Sequence, residues 1–223
     1  MADDTRPPTR PLDSNPPPPL RIAFLGPLGT YSHQAATDFF GNGVELAPVE
    51  RIADVFTAVA TSNVPFGVVP IENSSFGPVV ETQDELRTTR LCVRGMVQLK
   101  IGHSLLGRKG VPREGAGRTT VRRVYSHEQA IGQCRSYLGE RYPQAEIIPV
   151  TSTAKAAQQA ASEPEALAIC SLKCAEVYNL DVIDTDIQDA GYSNTTRFVA
   201  LSRIDTPLPA EYPLSRPFPS LPH

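Results

Sequence analysis

Apolar residues along this chain fall into two recurring patterns. Short unbroken runs rich in Val, Ile and Phe read as buried strands, at 21–25, 44–48, 66–71, 121–125, 147–150, 166–170 and 197–201. Between them, apolar residues recur at three- and four-residue spacing, the period of one helix face, at 32–40, 51–61, 79–87, 127–138, 154–161 and 172–178. Residues 91–106 are rich in strand formers, and 109–119 read as a glycine-rich loop. Such regular alternation predicts an α/β protein with a mainly parallel sheet. Both ends leave the pattern. Residues 1–20 are proline-rich with few large apolar side chains to offset chain entropy, and are expected to be disordered. Residues 205–223 are again proline-rich and hold no periodic element, so the expected folded unit is 21–204.

Composition narrows the class. A chain of 223 residues, 40% hydrophobic and 20% charged, supports a real core in one domain or two lobes. Its net charge of −3 gives no broad attraction to nucleic acid or membrane, so a small anionic ligand has to be caught by local donors. No apolar run nears the ~18 residues that span a bilayer. The N-terminus lacks the basic and apolar regions of a secretory signal, and Asp3 and Asp4 argue against an import peptide, so the expected compartment is the cytoplasm. Cys92, Cys134, Cys170 and Cys174 include no Cys-x-x-Cys pair and are expected to be buried free thiols rather than metal ligands.

Candidate chemistry gathers at the strand ends. Gly26-Pro27-Leu28-Gly29-Thr30-Tyr31-Ser32 follows a strand and opens a helix. It is either a tight turn capped by Thr30 or Ser32, or a place where free helix N–H groups receive an anion. It lacks the Lys-Ser/Thr ending of a nucleotide phosphate loop and the glycine spacing of a dinucleotide site. Ser126-His127-Glu128-Gln129 and Thr151-Ser152-Thr153-Ala154 have the same setting, and Ser126 with Gln129 fits a capping box. Three such turns favour a ligand crevice at the carboxyl ends of the strands. Glu72-Asn73-Ser74 leaves the strand at 66–71 with acid, amide and hydroxyl groups, and is equally a plain polar exit. In Asn194-Thr195-Thr196-Arg197-Phe198 a hydroxyl stands beside a fixed positive charge, and an arginine can grip a carboxylate with two hydrogen bonds. His103, in an apolar stretch, reads as a core residue, and His33 as one on a helix face. No Ser-His-acid order and no metal-ligand set stands out.

Taken in order, GPLGTYSHQAA at 26–36, GVVPIENSSFGPV at 67–79, YSHEQAIGQC at 125–134, TSTAKAA at 151–157 and NTTRF at 194–198 resemble the prephenate dehydratase family. The resemblance covers residues 21–204. It implies two α/β lobes with a central cleft, similar to the type II periplasmic-binding-protein fold, with lobe one at 21–98 plus 186–204 and lobe two at 99–185. It implies decarboxylative dehydration of prephenate to phenylpyruvate in phenylalanine biosynthesis, a lyase reaction using no metal and no organic cofactor. Thr196 would be the acid toward the ring hydroxyl. Asn73, Ser126 and Gln133 would complete the catalytic set. Gly29, Thr30, Tyr31, Ser32, Gln129, Ser152 and Thr153 would hold substrate, together with their motif neighbours Glu72, Ser74, Ala154 and Phe198. Arg197 would either bind substrate or brace the site. On this reading Thr196, Asn73, Ser126 and Ser152 face one cavity.

The resemblance also implies a homodimer or higher oligomer. The family often carries a C-terminal ACT domain that binds phenylalanine. Residues 205–223 are too few for one, although Ser215-Arg216-Pro217 is similar to part of that domain's motif. Phenylalanine is therefore not expected to inhibit. Arogenate dehydration and a non-catalytic binding module on the same fold are the two alternatives.

Overall fold

The computed structural model describes residues 19–111, 120–189 and 193–209. The expected N-terminal tail up to residue 18, most of the loop at 109–119, and the C-terminal segment from 210 with its Ser215-Arg216-Pro217 motif lie outside the described residues. The first half of the chain runs β1 (Arg21–Leu25), α1 (Tyr31–Phe40), β2 (Glu45–Val49), α2 (Ile52–Ala60), β3 (Phe66–Asn73), β4 (Gly77–Pro78), α3 (Val80–Thr88) and β5 (Cys92–Lys100). It continues through β6 (Ser104–Arg108), β7 (Arg123–Ser126), α4 (Glu128–Gly132), α5 (Arg135–Arg141) and β8 (Glu146–Pro149). It ends with α6 (Thr153–Ser162), β9 (Ala166–Cys170), α7 (Lys173–Tyr178), β10 (Leu180–Asp184) and β11 (Thr195–Ser202).

Two mixed sheets result, giving two α/β lobes. The first has the order β2-β1-β3-β11-β5, with β4 folded back on β3, and the second β10-β6-β9-β7-β8. Along its main path each contains two parallel and two antiparallel pairings, and β4 adds a third antiparallel pairing to the first sheet. The expectation of a mainly parallel sheet is thereby corrected. Strand–helix alternation reports the local crossovers, such as β1-α1-β2, but is silent on a strand that returns from far along the chain. β11 is such a strand, inserted antiparallel between β3 and β5.

The unbroken apolar runs have their cause in layering, since helices cover both faces of the first sheet. Ile22, Phe24, Phe66, Val68 and Phe198 pack with Ala35, Ala36 and Phe39 of α1. Ala23, Val69, Val199 and Leu201 turn the other way, against Val55, Phe56 and Val59 of α2. Gly67 lets α2 sit this close: a Cβ there would stand 2.6 Å from Val55 Cγ1. In the second sheet, the alanines of α6 cover one face and Ala130, Cys134 and Leu138 the other. All five residues of β9 are buried accordingly.

Three elements differ from the sequence pattern. The helix expected at 127–138 breaks into α4 and α5, because Asp189 accepts from the backbone N–H groups of Ser136 and Tyr137 and its own amide donates to Gln133 O. β10 has no apolar run to announce it, since Asp181 and Asp184 interrupt an edge strand. The strand-rich stretch at 91–106 is two strands separated at residues 101–103. Cys134, Cys170 and Cys174 are buried free thiols as expected, but Cys92 is only half-buried. No helix among the described residues is long and apolar enough to cross a membrane.

Candidate active site

The carboxyl ends of β1, β3, β7 and β8 and the opening of β11 surround one cavity of about 490 Å³. Of the residues singled out from sequence, Thr30, Tyr31, Ser32, Asn73, Gln129, Gln133, Ser152, Thr153, Thr196 and Phe198 line it. Gly29, Glu72, Ser74, Ser126, Ala154 and Arg197 do not. No lysine or arginine is among the described lining residues, and Glu50 is the one carboxylate.

Thr196 and Asn73 stand directly opposite each other in the β3–β11 ladder. Asn73 Oδ1 accepts from the backbone N–H groups of Ser75 and Phe76, at 2.9 and 3.1 Å. The amide is thereby fixed with its NH2 toward Thr196, and Nδ2 donates to Oγ1 at 2.8 Å. Thr196 Oγ1 receives a hydrogen bond, so its own proton is left for another acceptor. Ser74 braces this corner: Ser74 N donates to Thr195 O and Thr195 N to Ser74 Oγ.

Arg197 is next to Thr196 in sequence but on the other face of the strand, because successive side chains alternate. Nη1 pairs with Glu72 Oε2 at 2.8 Å, and Nε donates to Gln98 Oε1 at 3.4 Å. Both pair members are partly exposed, so the bridge contributes little beyond fixing register, ~1 kcal/mol or less. Of the two roles open from sequence, the bracing one matches this geometry.

At the first turn, Thr30 caps α1 by accepting from His33 N. Gly29 takes a positive φ of 89°, and its N–H donates to His33 Nδ1 at 2.9 Å. His33 is thus buried inside the turn rather than displayed on a helix face. Burial, reinforced by the nearby Lys173 charge, lowers its pKa and keeps Nδ1 an acceptor. The second lobe clasps this turn. Ser171 Oγ and Cys174 Sγ donate to Gly29 O at 2.7 and 3.2 Å, and Tyr178 OH donates to Leu28 O at 2.8 Å. Tyr31 OH reaches Gly102 O at 2.5 Å, and burial raises its pKa, so it remains a phenol.

In the second lobe, Ser152 caps α6 by accepting from Lys155 N at 3.0 Å. The capping box expected from Ser126 and Gln129 does not form. Ser126 is fully buried and donates to Ile169 O at 2.7 Å, tying β7 to β9, while His127 is the N-cap of α4. Ser126 therefore stands behind the cavity wall. Ala154 is likewise buried, in the core under α6.

Two buried polar residues, His103 and Asn194, are among the lining residues that the sequence pattern does not single out. His103 is buried as expected, yet it lines the cavity and its Nε2 lies 2.8 Å from Gln133 Oε1. Asn194 was noticed only as the start of its motif, and it too is buried in the lining. The available signal was that each is a polar residue beside an apolar run, which is equally the signature of a core residue.

Residues 22–206 match the family model for prephenate dehydratase. The chain belongs to the prephenate dehydratase family. It is 38% identical over 193 residues to a bifunctional chorismate mutase/prephenate dehydratase of Pseudomonas aeruginosa, covering 85% of this chain and 50% of the relative. The chain thus spans about half the length of the curated relatives it matches. A solved prephenate dehydratase from Arthrobacter aurescens, in complex with L-Phe, superposes with a TM-score of 0.70 at 30% identity, covering 82% of this chain and 60% of the other. A structure described as GqqA, a novel type of quorum quenching acylase, superposes at 0.71 with 28% identity, covering 85% and 66%. Solved prephenate dehydratases thus share this chain's fold.

Proposed function

We propose that this chain dehydrates and decarboxylates prephenate to phenylpyruvate, with Thr196 assisting departure of the ring hydroxyl. One observation carries the reading: Asn73, its own amide fixed by two backbone donors, donates to Thr196 and leaves the threonine proton directed elsewhere. The ring C–O bond breaks with its electron pair going to oxygen. The electrons of the bond to the ring carboxylate complete the aromatic ring as carbon dioxide leaves. The departing oxygen takes a proton, so a dianion and one proton give phenylpyruvate, carbon dioxide and water. A threonine is a weak acid, so its hydrogen bond matters most late, when charge has built up on that oxygen.

The substrate carboxylates meet neutral groups. The starts of α1 and α6, each a ten-residue helix, bring Thr30, Tyr31, Ser32, Ser152 and Thr153 to the cavity, where helix N-termini favour anions. Gln129, Gln133 and Phe198 complete the substrate contacts. Gly29, Ser74, Ala154, Ser126, Glu72 and Arg197 act from behind, by shaping the turns and the ladder. The catalytic unit is 21–204, with lobe one at 21–98 plus 186–204 and lobe two at 99–185. It works in the cytoplasm, and as a homodimer or larger assembly whose molar mass light scattering tests. Purified chain incubated with prephenate is expected to form phenylpyruvate, and faster than an equal concentration of arogenate reacts. Turnover no faster than the spontaneous reaction would leave a binding module, and a preference for arogenate would reassign the substrate.

A further inference from the structure

Two buried polar atoms of cavity-lining residues lack a partner among the described residues: Nδ1 of His103 and Oδ1 of Asn194. Both side chains belong to residues more than nine-tenths buried, at 4% and 6% exposure. For His103 the surroundings show what the ring does. Its backbone is held by the returning segment: His103 N donates to Gln188 Oε1 at 2.9 Å, and His103 O accepts from Ile187 N at 3.0 Å. Its Nε2 stands 2.8 Å from Gln133 Oε1. An amide oxygen has no proton to give, so Nε2 carries the hydrogen and donates it. Burial lowers the pKa of this imidazole, with the bond to Gln133 pulling the other way. The ring is neutral at pH 7, with one proton on Nε2 and a bare lone pair on Nδ1.

A ring kept for packing gains nothing from a desolvated, unpaired nitrogen, since phenylalanine fills similar space without it. Orientation is what the bond to Gln133 achieves. A carboxamide can turn over, exchanging its oxygen and its NH2 with little change in shape. Turned one way, Gln133 offers two donors to an anion, and turned the other way it offers a repelling oxygen. Asn73 has its oxygen held by two backbone N–H groups. The oxygen of Gln133 has no such backbone partner among the described residues, and His103 takes that place.

We propose that His103 is a positioning residue, locking the Gln133 carboxamide with its N–H donors toward an anionic oxygen of the substrate. The kinetic consequences rest on the dehydratase reading, whereas the state of the ring does not. Nitrogen-15 NMR of the histidine-labelled full chain is expected to show His103 as a single neutral form protonated on Nε2 at pH 7, and Gln133→Leu to dissolve that preference. His103→Phe is expected to lower kcat/KM for prephenate about tenfold, the order of one hydrogen bond. His103→Gln, whose amide N–H reaches close to the place of Nε2, restores most of the loss. Adding His103→Phe to Gln133→Leu costs nothing further, because one residue acts through the other. A ring protonated on Nδ1 overturns the proposal. So do additive losses in the double variant, or a His103→Gln variant no better than His103→Phe. If His103→Phe does not fold, the glutamine variant and the NMR signal still decide. If the wild type proves inactive toward prephenate, the dehydratase reading falls and the ring's protonated nitrogen alone judges the orientation.

Discussion

At the scale of single residues, the arrangement separates side chains that the sequence presents together. Thr196 and Arg197 look like one device in the chain, and strand alternation sends them to opposite faces, one to the cavity and one to Glu72. The motif made Thr196 and Asn73 legible, but Ser126 could not be placed from sequence, since a serine opening a turn and a serine buried between strands read alike. Thr196→Ala is expected to reduce kcat by roughly 100- to 1000-fold, the cost of deleting one donor to a developing oxyanion. Thr196→Ser should retain much more, and steady-state kinetics on both variants checks the pair. An alanine variant within a few-fold of wild type would make Thr196 structural. His33 offers a second test, in stability. Folding lowers its pKa, by burial first and the Lys173 charge next, so below about pH 6.5 the unfolded chain binds more protons than the folded one. Its contribution is full above that pH and is lost as the pH falls toward the lowered folded value. His33→Asn keeps an acceptor near the place of Nδ1 without titrating. Its melting temperature should fall less than the wild type's between pH 7 and pH 5.

At the scale of elements, the helices and strands with strong periodicity emerge where the pattern puts them, and the discrepancies have local causes. α4 and α5 part because a carboxylate from residue 189, distant in sequence, caps the second helix. β10 carries too much charge to resemble a strand. The turn into α1 is the element with the tightest tolerances. An alanine at Gly29 would meet Cys174 Sγ at 2.9 Å and Tyr178 Cε2 at 3.1 Å, at a φ that side chains rarely adopt. Gly29→Ala is therefore expected to destabilise by about 1–3 kcal/mol and to raise KM, since the turn leads into cavity-lining residues. Thermal unfolding and kinetics together read it, and an unchanged KM would detach this turn from substrate binding. At α6, Ser152→Ala removes the cap and should cost ~1 kcal/mol of stability.

At the scale of the whole molecule, both sheets repeat one pattern along their main paths, two parallel and two antiparallel pairings, and their strand ends share a cavity. The two-lobed class followed from the motif order, whereas the strand directions did not, because long-range return of the chain leaves no local periodicity. No group of three or more potential metal ligands occurs among the described residues. Dialysis against a chelator is expected to leave phenylpyruvate formation unchanged, and a loss restored by added divalent metal would refute that. The lack of lysine and arginine in the described walls of the cleft carries one more consequence. With no lysine or arginine and one carboxylate, Glu50, among its described lining residues, the cleft offers a dianion no charged side chain to draw it inward, so capture is left to ordinary diffusion and short-range contacts. Added salt shortens the Debye length from about 10 Å at 0.1 M to about 3 Å at 1 M, which mutes distant attraction and spares groups in contact. On the proposed reaction, catalytic efficiency toward prephenate should stay nearly flat across that range, an unusual tolerance for turnover of a doubly charged substrate.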